Sequence, residues 1–401
     1  DGAQWTPLGL PFNSTIETLC VYDPDGDGPA LARLVVGGRF TLHGASQVGY
    51  IAEWTGTTWV QFGVRPSDNV WAMTTWDPDG DGPQPVNLVA TGNFAQVGNT
   101  IVRGIARWDG AQWHPFGSGF GSQMGGLAVA TWDPDGPGPA NEQVVAGGNF
   151  QSVGGQTVRF IARWDGQQWF PLGSGVSAFV EALCTWDPDG DGPQSSIVVA
   201  AGNFFSAGGV AVNRIAAWDG NQWSALGGGI KGDVRALGVW DDDGDASTPD
   251  LLIASGGFLA AGDTIAPAVA SWNGEEWARF GLGLIRTPPS LPSFTGFGRA
   301  VAQFDADGGG PLLPVMVVGG EFDSAGCDEA LNVAALTRNP RCIGDVNRDG
   351  TVDFGDLNDL LSSFGFVSIA PGTICSDLND DGFVDFADLN AVLSRFGEGC
   401  E

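Results

Sequence analysis

The stretch from Val70 to Gly117 reads VWAMTTWDPDGDGPQPVNLVATGNFAQVGNTIVRGIARWDGAQWHPFG, and it recurs along most of the chain. With the first aspartate of each acidic turn as register mark, the copies fall at Asp23, Asp77, Asp133, Asp187, Asp241 and Asp305, in steps of 54, 56, 54, 54 and 64 residues. A period of that size marks a propeller, a solenoid or an array. Each copy divides into four strand-like runs, A to D. In the copy around Asp187 they cover residues 180–186, 197–204, 214–218 and 222–226. Asp-Gly joins C to D at Asp109, Asp165 and Asp219, with Asn273-Gly274 and Thr55-Gly56 as variants. Such a pair supplies the positive φ angles that a tight hairpin demands. The flanking tryptophans, such as Trp108/Trp113 and Trp164/Trp169, then belong in the core between neighbouring sheets.

Four antiparallel strands per copy, six times over, predict an all-β six-bladed β-propeller across residues 1–340. The ends of the repeat region agree with this. Residues 1–9 form a D run with no A, B or C before it, and the sixth copy has A (299–304), B (313–322) and C (332–337) but no D. The N-terminal strand is therefore expected to complete the last blade and close the ring without an open edge. The repeat motif GG-x-F, then IA-x-W, then Trp and a final Gly reads here Gly37-Gly38-Arg39-Phe40, Ile51-Ala52-Glu53-Trp54, Trp59 and Phe62-Gly63. It resembles a large group of secreted bacterial repeat proteins. That resemblance implies the fold and an extracellular or cell-surface setting, and no activity. Residue 1 already lies inside a repeat, so a signal peptide is expected to fall outside this numbering.

A hydrophobic share of 43% over 401 residues supports a large core. No apolar run reaches the roughly 18 residues of a membrane span. Formal charge is −30 with Lys231 the single lysine, which makes nucleic acid a poor partner and cations natural ones. Of six cysteines, Cys327, Cys342, Cys375 and Cys400 crowd the C-terminal end, where three pairings are open. Cys342 with Cys400 is the pairing that would close the ends of the last module. Cys20 and Cys184 hold the same place in two repeats and read as small buried thiols.

Runs A and B are joined by carboxylate-rich turns: Asp23, Asp25 and Asp27; Asp77, Asp79 and Asp81; Asp187, Asp189 and Asp191; Asp241, Asp243 and Asp245. Equivalent turns emerge on one side of a propeller, so one rim becomes a ring of carboxylates that repels itself unless cations sit in it. The spacing Asp-x-Asp-x-Asp-Gly is the first half of an EF-hand loop. It is also similar to the hairpin calcium loops of integrin α-subunit propellers. Position 9 is Leu31, Pro85 or Ser195, and Ala246 replaces glycine in the Asp241 copy. Calcium sites and plain Asp/Gly/Pro turns are both open readings.

After residue 340 a second pattern begins, Asp345, Asn347, Asp349, Thr351, Asp353 and Asp356, repeated 32 residues later as Asp377, Asn379, Asp381, Phe383, Asp385 and Asp388. These are positions 1, 3, 5, 7, 9 and 12 of a calcium loop, with glycine at 6. Calcium takes six to eight hard oxygens, here from side chains at 1, 3, 5 and 12, the carbonyl of Thr351 or Phe383, and a water held by position 9. Each loop runs into a short helix with one apolar face, Leu357, Leu360, Leu361 and Phe364 in the first, Leu389, Val392, Leu393 and Phe396 in the second. A duplicated loop with only the exiting helix resembles a type I dockerin over residues 342–400, within a domain set at 341–401. The resemblance implies calcium-dependent docking onto a partner protein. Positions 10 and 11 are Phe354/Gly355 and Phe386/Ala387, where cellulosomal dockerins carry small polar residues.

Histidine is nearly absent, at His43 and His114, and no nucleophile motif or phosphate loop occurs. The Asp-Gly-x-x-Trp of the C–D joins differs in spacing from the sialidase Asp-box, and a hairpin turn accounts for it. Glu17, Glu181, Arg235 and Arg299 share one register position of the innermost strands, where an active centre would be sought and where solvated or paired charges are the simpler reading. The expectation is a secreted, calcium-binding, non-enzymatic interaction or structural protein that docks on a partner, including identical subunits in a head-to-tail polymer. A glycan-binding propeller and a sugar-active hydrolase or lyase are the rivals.

Overall fold

The computed structural model describes residues 8–25, 31–80, 84–121, 125–136, 141–190, 192, 194–244, 248–280, 283–286, 294–305, 313–325, 328–336, 346, 351–366, 376, 378 and 383–397. The fold is a six-bladed all-β propeller with only two short helices, both near the C-terminus. The chain parts into two compact units, Asp1–Gly229 with four blades and Ile230–Glu401 with two blades and the helices.

In the first unit the A strands are Ile16–Tyr22, Val70–Trp76, Gly126–Trp132 and Val180–Trp186, and every sheet runs antiparallel in the order A-B-C-D. In the fourth blade B is Ile197–Gly202, C is Ile215–Trp218 and D is Trp223–Ala225, each shorter than its apolar run. B stops early because the buried Phe204 belongs to the turn that follows. Between B and C the sequence shows a loop, whereas the structure builds a small hairpin, Ser206–Ala207 with Val210–Ala211, and equivalents in the other three blades. In the second unit Ile230–Trp240, Leu251–Ala261, Val269–Trp272 and Trp277–Arg279 make the fifth blade. Phe297–Phe304, Val315–Glu321 and Val333–Leu336 make a three-stranded sixth. Of the run expected to complete that sheet, residues 1–9, the first seven lie outside the described residues, and Leu8 and Gly9 are not in a strand.

The GG-x-F motif has a backbone cause. Pairing of A with B slips between Val180 and Ala182, a bulge that drives a carbonyl toward the end of B. A Cβ on Gly202 would lie 2.1 Å from the Phe179 oxygen, to which the Asn203 N–H donates at 3.0 Å. The same clash recurs at Gly38, Gly92, Gly148, Gly256 and Gly320, at 2.0 to 2.2 Å from the matching carbonyl. The phenylalanine two residues on, from Phe40 to Phe322, is buried in all six copies.

Neighbouring blades are stitched by the last residue of four of the A strands. Tyr22 Oη donates to the Val86 carbonyl at 3.2 Å, Trp76 Nε1 to Glu142 at 2.8 Å and Trp132 Nε1 to Ser196 at 2.8 Å. Trp240 Nε1 donates to Pro314 at 3.0 Å within the second unit. The tryptophan pairs pack as their position implied: Phe62 meets Trp108 edge-on at 5.4 Å, and Phe116 meets Trp164 at 5.4 Å. Their indole N–H groups also reach back, Trp169 to the Phe116 carbonyl at 3.1 Å and Trp223 to Leu172 at 2.9 Å.

The C–D hairpin differs in detail from the expectation. Positive φ falls on Gly110, Gly166 and Gly220 and not on the aspartates before them. The aspartate works through its side chain: Asp165 Oδ1 accepts from the Gln167 and Gln168 N–H groups, both at 2.8 Å. Cys20 and Cys184 are free thiols, and burial pushes them up to about 11 and about 12, so neither forms a thiolate at neutral pH. The other four cysteines and their pairing lie outside the described residues.

Candidate metal centres

The two helices are α1, Phe354–Ser362, and α2, Phe386–Ser394. Asp353 caps α1 by accepting from the Gly355 N–H at 2.6 Å, while Asp356 Oδ2 accepts from the Asp353 N–H at 2.8 Å. Asp385 and Asp388 repeat this with Ala387 at 2.7 Å and Asp385 at 2.9 Å. Loop positions 9 and 12 are thus a capping box as well as candidate ligands, a role the Asp-x-x-Asp spacing signals and the sequence analysis missed.

Position 12 carries the weight of the site. Asp356 and Asp388 are both 0% exposed. Asp388 Oδ1 also accepts from the Leu378 N–H, loop position 2, at 2.6 Å, which fixes the carboxylate across its own loop. Burying an ionised carboxylate costs several kcal/mol unless hydrogen bonds and an opposite charge offset it. A pinned, buried carboxylate at this position fits a hard divalent cation, since a carboxylate oxygen can accept an N–H and ligate an ion together. Thr351 and Phe383 stand at position 7 just ahead of the helices. Asp345, Asn347, Asp349, Asp377, Asn379 and Asp381 lie outside the described residues. Among the described residues no three His, Cys, Asp or Glu side chains gather around one metal-sized point.

The two halves of the module clasp each other reciprocally. Gly365, after α1, donates to the Val384 carbonyl of the second loop at 2.8 Å, and Gly397, after α2, to Val352 of the first at 2.7 Å. Phe354 meets Phe396 edge-on at 4.9 Å, and Phe386 meets Phe364 at 5.2 Å. Val352, Leu360, Val384 and Val392 form the core. The apolar stripe is narrower than its spacing implied, because Leu361 and Leu393 are each 51% exposed. Phe354 and Phe386 are each 75% exposed.

In the propeller turns the first aspartate folds the loop on itself. Asp23, Asp77, Asp133 and Asp187 each accept, through Oδ1, the N–H two residues on, at 3.1 to 3.3 Å. Asp79 and Asp189 accept from the N–H groups of Gln84 and Gln194 at 3.2 Å, while their Oδ1 atoms are buried with no hydrogen-bond partner among the described residues. Asp241 accepts from the Gly244 N–H at 2.6 Å, and Asp243 from the Thr248 hydroxyl at 3.1 Å. Asp27, Asp81, Asp191 and Asp245 fall outside the described residues.

Burial, and then the neighbouring carboxylates Asp135 and Asp189, push the Asp133 and Asp187 carboxyls up. Glu142, which sequence reasoning passed over, accepts from the Asp77 N–H at 3.1 Å, and burial again pushes it up, with the charges of Asp77 and Asp133 adding to the shift. A carboxyl whose folded pKa is raised binds protons more tightly folded than unfolded, so it stabilises the fold at low pH. That contribution is lost as pH climbs from the ordinary carboxylate range through the raised folded value. Glu142→Gln keeps an acceptor for Asp77 and removes the charge. In chelator at pH 7 its thermal midpoint is expected about 1 °C or more above that of the native protein. The gap should close near pH 4, and a lower midpoint at pH 7 would show that the charge is not what strains the rim.

The charged residues of the inner strands are paired across to strand B or within A. Arg39 Nε donates to Glu17 at 2.7 Å and lies over Trp71 at 4.6 Å. Asn203 donates to Glu181 at 3.1 Å, Arg235 sits 3.6 Å from Asp233, and Arg299 and Arg286 both bind Glu321. His114 is held by Asp109 at 2.6 Å. Partial burial opposes ionisation of Asp109, and the Gln112 and Ala111 N–H groups with His114 outweigh it to hold that carboxyl below the usual range. His43 is 5% exposed beside Phe12. No helix among the described residues is long and apolar enough to cross a membrane. Comparison with protein-family models and with curated proteins finds no match for this chain.

Proposed function

We propose that this chain is a secreted, non-catalytic, calcium-binding interaction protein: a propeller body coupled through its terminal pair of calcium loops to a protein partner. The observation that carries the reading is the reciprocal pair of fully buried, hydrogen-bonded carboxylates Asp356 and Asp388, each at position 12 of a loop with Asp or Asn at positions 1, 3, 5 and 9. When bound, calcium would supply positive charge beside these carboxylates and join each loop to its helix. The docking face is Phe354 and Phe386, exposed side chains at the N-terminal ends of helices that the ion would hold in place.

An identical chain is the partner proposed first, because a propeller face and a tail face on one chain make a head-to-tail contact that runs on or closes into a ring. The buried, unpartnered Oδ1 atoms of Asp79 and Asp189 support calcium in the acidic turns as a second, weaker class of site. Particle size in excess calcium and in chelator tests the reading. Calcium-dependent growth with concentration is expected for the native chain, and its loss in a Phe354→Ala, Phe386→Ala double variant. A monomer at high protein concentration in calcium removes the self-docking partner. A tail that folds and docks equally well in chelator removes calcium.

A further inference from the structure

One position is held by a non-glycine residue at positive φ in four of the six blades, Phe160, Arg214, Ala268 and Asn332. The residue before strand C accepts from the glycine ending B and donates to the motif phenylalanine. Arg214 does both at 2.9 Å in the fourth blade, and in the second Gly104 makes the same two bonds at φ +85. Only backbone atoms take part, so glycine serves without steric cost. Phe160 and Arg214 nevertheless hold this place at φ +64, a region in which bulky side chains are uncommon. Ala268 holds the same place at φ +66 with its side chain buried, so what sets Phe160 and Arg214 apart is the side chain each carries there.

What these side chains present is a continuous surface on the first unit. Arg214 Nη1 donates to Asn203 Oδ1 at 2.9 Å, and Asn203 Nδ2 donates to Glu181 Oε1 at 3.1 Å. The Arg214 guanidinium lies over the Phe205 ring at 5.2 Å, and Phe205 is 56% exposed. On the other side the Asn203 N–H bonds the Phe179 carbonyl at 3.0 Å, and the exposed Phe179 ring meets Phe160 edge-on at 5.9 Å. Two exposed rings thus flank an ordered carboxylate, amide and guanidinium.

We infer that this patch binds a neutral oligosaccharide. A pyranose ring offers an apolar C–H face to an aromatic side chain and a rim of hydroxyls that both donate and accept. The row beside the rings runs from an acceptor in Glu181, through Asn203, which does both, to a donor in Arg214. A polyanionic ligand is disfavoured by the chain's net charge of −30. The patch is built from residues of the first unit alone, and the inference does not rest on the calcium loops.

The test is full-length protein on a panel of neutral β-linked glucose, xylose and N-acetylglucosamine oligomers, followed by titration of the best binder. Phe205→Ala and Arg214→Gly are each expected to weaken it by about tenfold or more. Leu259→Ala, at the place of Phe205 in the fifth blade, should leave it unchanged. The thermal midpoint of Arg214→Gly should be no lower than that of the native protein, since glycine relieves the backbone. An array on which the native protein retains no neutral oligomer overturns the inference, as does retention of acidic glycans alone. Undiminished binding by both variants, or a depressed midpoint in Arg214→Gly, does the same.

Discussion

Chelation of calcium is expected to melt α1 and α2 while the propeller sheets stay folded. Each helix has nine residues, too short to persist alone in water. Among the described residues the buried core they share is Val346, Val352, Leu360, Val384 and Val392, and modules this small rest on a staple as well as a core. An ion present at a thousand times its dissociation constant adds about 4 kcal/mol of stability per site, enough to decide whether such a module folds. The amides of Gly365 and Gly397 report this directly, because each bonds the opposite loop at 2.8 and 2.7 Å. Their hydrogen exchange should speed up by about a hundredfold or more in chelator. Amides of the buried B strand, such as Val199 and Ala200, should keep their protection. Unchanged protection at both glycines would mean that the tail is self-sufficient.

Gly202→Ala is expected to be among the most damaging small changes in the propeller. Its Cβ would sit 2.1 Å from the Phe179 oxygen and 3.0 Å from the Glu181 nitrogen, both main-chain atoms that cannot swing aside as a side chain can. Relief requires opening the bulge where A meets B, which also breaks the bond from the Asn203 N–H to Phe179. A loss of about 3 to 5 kcal/mol follows. Gly209→Ala is the control: nothing lies within 4 Å of its Cβ, and its φ of +87 leaves only the left-handed penalty of about 1 kcal/mol. Thermal or denaturant unfolding should separate the two variants clearly, and equal losses would show that the bulge opens around the added methyl at little cost.

The blades were legible because their determinants are local and repeated six times. The turn glycines, the Trp-Asp-Gly hairpin and the phenylalanine of GG-x-F each fix a neighbour within a few residues, so register follows from spacing alone. The reason for the glycine in that motif was not legible, because it depends on a bulge that brings the Phe179 carbonyl onto Gly202 from another strand. Glu142 was missed for a similar cause. Its importance comes from Asp77, in the preceding blade, and nothing in its own surroundings in the sequence marks it. In the terminal module the Asp-x-x-Asp spacing carried two meanings, ligand and helix cap, and only the first was read. The exposed Leu361 and Leu393 show the limit of periodicity, since a helix with one small partner can cover only part of an apolar stripe.

Calorimetric titration of calcium into the metal-free chain addresses the main proposition most directly. Two tight sites are expected in the native protein, one fewer in Asp356→Asn and one fewer again when Asp388→Asn is added, with weaker uptake by the acidic turns left in place. No tight uptake by the native chain, or full uptake by the double variant, would contradict it.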